Sequence, residues 1–91
     1  TAAQSAARDA LGRLPDGVRL ARADCRRFPW PDGIDLVWAD PPWADLTAYS
    51  WLAGMAAARL RPGGLVLAQC GHKFLPDVLA ALAADLRYVW T

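Results

Sequence analysis

The chain has 91 residues, of which 55% are hydrophobic and 21% charged, and its formal net charge is +1. That length allows one domain at most, the composition excludes a disordered chain, and the charge excludes a strongly basic nucleic-acid arm or an acidic tail while leaving room for a local nucleic-acid patch. A chain this short hides only about 60–65% of the surface its unfolded form exposes, so a thin core is expected.

Thr1–Leu14 is rich in Ala, with Leu11 and Leu14 one turn apart, which predicts a helix. Pro15-Asp16-Gly17 is a turn: Pro presets φ and Gly accepts a positive value. Val18–Ala23 alternates apolar and basic residues, the pattern of a half-buried strand, and Asp24–Gly33 reads as loop. Ile34–Ala39 is a nearly unbroken apolar run, as expected of a strand buried on both faces. Asp40-Pro41-Pro42-Trp43 ends it abruptly, because neither proline can donate to a ladder. Thr47 or Ser50 can cap a helix running to about Leu60, which Pro62-Gly63-Gly64 breaks. Leu65–Cys70 is a second buried strand and Gly71-His72-Lys73 a loop. A helix follows over Leu75–Asp85, with Pro76 in its first turn and Asp77 near its positive end. Arg87–Trp90 begins a further strand.

Strands alternating with helices of this length predict an α/β domain with about four mostly parallel strands and flanking helices. No apolar run approaches the roughly 20 residues of a membrane span. Cys25 and Cys70 are too few for a disulfide framework and sit in no metal-ligand spacing, so free buried thiols in a reducing cytosol and no metal are expected. The N-terminal residues lack a basic stretch followed by an apolar one, so no secretory signal is expected, and a first residue of Thr suggests a piece of a longer protein. In parallel sheets ligands bind at the carboxyl ends of the strands. Three loops lie there: Asp24-Cys25-Arg26, Asp40–Trp43 and Gly71-His72-Lys73.

Asp-Pro-Pro-Trp carries the strongest chemical signal. Two adjacent prolines fix φ twice and remove two N–H donors, leaving a rigid run of carbonyl acceptors beside the Asp40 carboxylate. Trp43 adds a flat π-surface. The set suits a planar ligand with an exocyclic amine, whose protons would meet Asp40 and the Pro41 carbonyl while the ring stacks on Trp43. An aryl amine is a poor nucleophile because its lone pair is delocalised, and two acceptors on its protons would free that pair for attack. Catalysis of this kind rests on positioning and electrostatics, not on a metal or a nucleophilic side chain.

Asp40-Pro41-Pro42-Trp43 resembles the catalytic signature of methyltransferases that modify adenine N6 with S-adenosylmethionine. Ala23-Asp24-Cys25-Arg26, Phe28 and the run Asp35–Trp43 resemble the corresponding stretch of the mRNA N6-adenosine methyltransferase family and its bacterial and phage relatives. The likeness extends over roughly Val18 to Thr91 and implies a partial Rossmann-like class I methyltransferase fold, residues 1–91 being part of one domain truncated at its C-terminus. It also implies roles. Asp40, Pro41, Pro42 and Trp43 would hold the target amine, with Asp40 and Pro41 also touching the cofactor's methionine end, and Asp24 with the Cys25 backbone would contact its adenine. The family's Lys that pairs with the cofactor carboxylate and its ribose contacts would lie downstream of Thr91. No G-x-G cofactor loop occurs in the chain, which fits the family's permuted order.

Each assignment has a plainer alternative. Asp24 also suits a loop cap; Cys25 serves through its backbone and not as a reactive thiol. His72 and Lys73 stand on the expected substrate rim, or form a solvated pair. Tyr49 either lines the target pocket or belongs to the core or helix start. Arg26 and Arg27 suit nucleic-acid phosphates or a solvated face, Asp45 a surface or capping position, and Trp30, Trp38, Trp51 and Trp90 packing. The activity that the resemblance implies is methylation of adenine N6 in nucleic acid, DNA ahead of RNA, in a bacterium or phage; the 91-residue piece alone is expected to be inactive. Cytosine N4, ribosomal-RNA guanine N2 and a protein glutamine are alternative amine targets, and a non-catalytic scaffold with the same fold is the alternative from another class.

Overall fold

The structure is a computed structural model and describes residues 1–3 and 12–91. The helix expected over Thr1–Leu14 falls mostly on residues 4–11, outside the described ones. The described elements are a strand β1 (Ile34–Ala39), a helix α1 (Leu46–Arg59), a strand β2 (Leu60–Ala68), a 3-10 turn (His72–Phe74) and a helix α2 (Leu75–Ala83). This is a mixed α/β arrangement in which β1 and β2 pair in parallel and α1 is the crossover between them.

α1 forms where the chain turns Ala-rich and free of Pro. Its N-cap is Asp45, whose carboxylate accepts the Ala48 N–H, and not the expected Thr47 or Ser50. Thr47 instead donates its hydroxyl to Asp45 at 2.6 Å. A carboxylate at the positive end of the helix is the stronger acceptor, and the hydroxyl is spent on it. One stripe of α1, made of Tyr49, Leu52, Ala53 and Ala56, is buried and packs with Val78 of α2. The spacing i, i+3, i+4, i+7 puts these four on one helical face.

Leu36, Val37, Trp38 and Ala39 stand opposite Leu65, Val66, Leu67 and Ala68. Ahead of them, Ile34 faces Leu60, so the register breaks at Arg61–Gly64. The break needs its glycines. Gly63 has φ +81°, and a Cβ on Gly64 would come within 3.0 Å of the Ile34 and Arg61 carbonyl oxygens. Arg61 closes the irregularity by pairing with Asp35 on the neighbouring strand.

The two strands are covered on one face only. Val37, Ala39, Val66 and Ala68 are half-buried, whereas Leu36, Trp38, Leu65 and Leu67 on the opposite face are exposed, Trp38 to 69%. This corrects the expectation of burial on both faces. It also corrects the strand count: two of the four expected strands form among the described residues. Val18–Ala23 runs as exposed irregular chain, because apolar alternation makes a strand only where an edge accepts its ladder. Arg87–Trp90 lines a groove beside β2 without joining its sheet, and Trp90 is 85% exposed, not packed.

Candidate functional site

The parallel pairing sets the carboxyl ends of β1 and β2 side by side. The Gln69 N–H donates to the Ala39 carbonyl at 2.9 Å, and the two chains leave the sheet together there. From β1 the exit is Asp40-Pro41-Pro42-Trp43; from β2 it is Gln69-Cys70-Gly71. Beneath them Tyr49, fully buried, donates its hydroxyl to the Gln69 carbonyl at 2.7 Å. Burial pushes the phenol's pKa up, with the charges of Cys70 and Asp40 adding to it, so the hydroxyl stays a neutral donor. Tyr49 is therefore a core residue that braces the second exit, and not part of an open rim.

Within the motif the acceptors divide into used and unused. The Trp43 indole Nε1–H donates to Asp40 Oδ1 at 2.9 Å, and the Pro42 carbonyl takes the Asp45 N–H at 2.9 Å. Asp40 Oδ2 and the Pro41 carbonyl have no donor among the described residues. Asp40 is exposed and Trp43 is half-exposed.

A second loop comes up beside the motif. Asp24 holds its own turn: Oδ1 accepts the Arg26 N–H at 3.0 Å, and its carbonyl accepts the N–H groups of Arg27 and Phe28. The Cys25 carbonyl takes the Trp30 indole N–H at 2.8 Å, and the Phe28 and Trp30 rings meet at a tilt of 57° with centroids 4.6 Å apart. Arg26 then reaches across to the start of α1, 3.4 Å from Thr47 Oγ1 and 3.7 Å from Asp45 Oδ2. The Asp45 pKa is lowered, first by the Thr47 hydroxyl, then by the Ala48 N–H, with the Arg26 charge assisting. Arg26 is thus a tether between the loop and α1. Arg27, far more exposed, pairs with Asp24 at 3.8 Å.

Between this loop, the outer edge of β1 and α1 lies a cavity of about 470 Å³, whose walls include Cys25, Trp30, Val37, Asp40, Pro41 and Trp51. Its size falls within the roughly 300–1,000 Å³ of small-molecule sites. The structure thus brings Cys25, Asp40, Pro41 and Pro42 to one cavity. Asp24, Trp43, Tyr49, His72 and Lys73 do not line it. His72 and Lys73 are exposed in the 3-10 turn, where Lys73 Nζ stands 5.6 Å from the neighbouring Phe74 ring. Among the described residues no cluster of three or more His, Cys, Asp or Glu could hold a metal ion, and no helix is long and apolar enough to cross a membrane. Both cysteines are free thiols, Cys25 exposed and Cys70 half-buried.

Two features of the site carried no recognised signal in the sequence. One is the Arg26 tether, since a long side chain 21 residues away from Thr47 gives no local hint of its partner. The other is the seat of the Trp43 ring against Gly71, since a glycine in a loop reads first as a turn residue. No family model, curated protein or solved structure matches the chain.

Proposed function

We propose that the chain is part of an S-adenosylmethionine-dependent methyltransferase that methylates the exocyclic N6 of adenine in nucleic acid, with DNA as the favoured polymer. The fold would be a partial Rossmann-like class I methyltransferase domain. The observation that carries this reading is the pair of unused acceptors, Asp40 Oδ2 and the Pro41 carbonyl, on a proline-stiffened strand exit beside a cavity of ligand size.

The residues present fit part of the cofactor. The cavity reaches from Cys25 to Asp40 and Pro41, the positions that would meet its adenine and methionine ends. Asp24 fits less well, because one of its oxygens is already committed to the Arg26 N–H and the other faces Arg27. When bound, S-adenosylmethionine supplies an electrophilic methyl group. The chain's own part is positional. Asp40 and Pro41 hold the amine protons, the locked φ angles of Pro41 and Pro42 stiffen the backbone that carries both, the Trp43 indole N–H holds the Asp40 carboxylate, and the exposed part of the Trp43 ring offers a stacking surface. The remaining cofactor contacts would come from residues after Thr91, so the 91-residue chain alone should bind S-adenosylmethionine weakly and turn nothing over.

The test is transfer of labelled methyl from S-adenosylmethionine to adenine-containing DNA by the full-length protein. Asp40→Ala should lower the rate by about a hundredfold or more, the usual cost of removing one positioned polar group at a reacting centre. An active protein indifferent to Asp40→Ala would exclude the mechanism. Mass spectrometry of the product separates adenine N6 from cytosine N4, guanine N2 and glutamine, and a full-length protein that binds no cofactor in calorimetry would be a scaffold.

A further inference from the structure

Gly71 follows β2 with φ −71° and ψ 143°, an extended conformation open to every residue, so conformational freedom does not explain a glycine there. Space does. A Cβ at this position would lie 2.9 Å from Trp43 Cε3 and 3.4 Å from Trp43 Cδ2, with Phe74 Cδ2 at 3.5 Å on another side. Both indole atoms belong to the six-membered ring, which therefore rests directly against the backbone of residue 71.

That backbone has little freedom to yield. The Gly71 carbonyl accepts the Phe74 N–H at 3.1 Å and opens the 3-10 turn. Two residues earlier, Gln69 is held through its N–H by Ala39 and through its carbonyl by Tyr49. The indole, half-exposed on a loop, is the softer partner. A side chain at 71 would push the ring, and the ring carries the N–H that occupies Asp40 Oδ1.

We propose that Gly71 is the positioning residue of the Asp40–Trp43 motif: its missing side chain seats the indole so that Nε1–H holds Asp40 Oδ1 and leaves Oδ2 for a ligand amine. The purpose of this arrangement rests on the amine-binding reading above; the contact and its effect on the indole do not. Residue 71 thus acts on the carboxylate from the neighbouring strand exit, through an aromatic ring.

Indole N–H resonances read this directly. The chain has five tryptophans, and the Trp43 signal is the one lost in Trp43→Phe. In the wild type the Trp43 N–H should lie downfield and exchange slowly, and Asp40→Ala should remove both properties. Gly71→Ala should reproduce the Asp40→Ala signature at Trp43 while leaving the Trp30 N–H, bonded to the Cys25 carbonyl, unchanged as the internal sign of an intact loop. A Trp43 resonance unmoved by Gly71→Ala overturns the proposal. Where Gly71→Ala fails to fold, the wild type decides: the Gly71 α-protons should carry a ring-current displacement that Trp43→Ala abolishes, and its absence overturns the seat. A full-length protein that methylates no adenine while the Trp43 signal still follows residue 71 would sink the function and leave this contact standing.

Discussion

The two faces of the β1–β2 sheet have similar apolar sequence and different surroundings. One carries Val37, Ala39, Val66 and Ala68, all half-buried, in a sheet whose β2 is contacted by α1. The other carries Leu36, Trp38, Leu65 and Leu67, larger side chains left exposed. Composition alone would assign the deeper core to the second face. The contrast teaches that a hydrophobic strand records what a residue is suited to bury against, while the partner that covers it is a matter of the whole arrangement. It also explains why the site lies where it does. The covered side has α1 beneath it, and the strand exits are braced from below by Tyr49 and Asp45, so the motif stands on the supported part of the molecule.

The contrast can be broken by substitution. Leu52→Ala on the buried stripe of α1 should have the largest effect, about 2–5 kcal/mol in denaturant unfolding, because it removes a side chain that is only 2% exposed. A value below about 1 kcal/mol would mean that the α1 stripe is not a packed core. Tyr49→Phe should cost less, about 1–2 kcal/mol, since it strips one hydrogen bond and leaves the Gln69 carbonyl without its donor. The same substitution should loosen the β2 exit, visible as faster amide exchange at Gln69. Trp38→Gln on the bare face should have the smallest effect, within about 0.5 kcal/mol, because the side chain is mostly solvated already. A large loss there would show that something covers Trp38 in solution.

Much of the architecture was legible along the chain. β1 begins and ends where its apolar run does, at Ile34 and Ala39, because the prolines that follow cannot extend a ladder. α2 starts at Leu75 with Pro76 in its first turn, where a missing N–H costs nothing. Asp45 caps α1, while Thr47 and Ser50, which also suit a cap, fall inside the helix because it begins at Leu46. Val18–Ala23 and Arg87–Trp90 show the limit. Their alternation suits a strand, yet a strand is completed by hydrogen bonds to a neighbour, and local pattern says nothing about whether one is present.

The candidate site divides in the same way. Asp40 through Trp43 could be picked out because the chemistry of that tetrapeptide is contained in its own residues: two locked φ angles, one carboxylate, one indole. Tyr49 lies only six residues beyond Trp43 but on the buried stripe of α1, a placement that follows from helical phase relative to a sheet not yet paired.

The order of residues was enough to specify where β1 and α2 begin, which carboxylate sits beside the proline pair, and which acceptors that pair leaves free, since these follow from short-range sterics and backbone hydrogen bonding; β2 instead begins at Leu60, five residues ahead of the expected Leu65, because its pairing with Ile34 carries the strand through Pro62-Gly63-Gly64. That Gly71 meets the Trp43 ring, that Arg26 reaches Asp45, and that one sheet face lies bare were settled by the parallel pairing of β1 with β2 and by the packing of α1. Contacts between residues nineteen or more positions apart depend on register and packing, and neither is written in any local stretch of the chain.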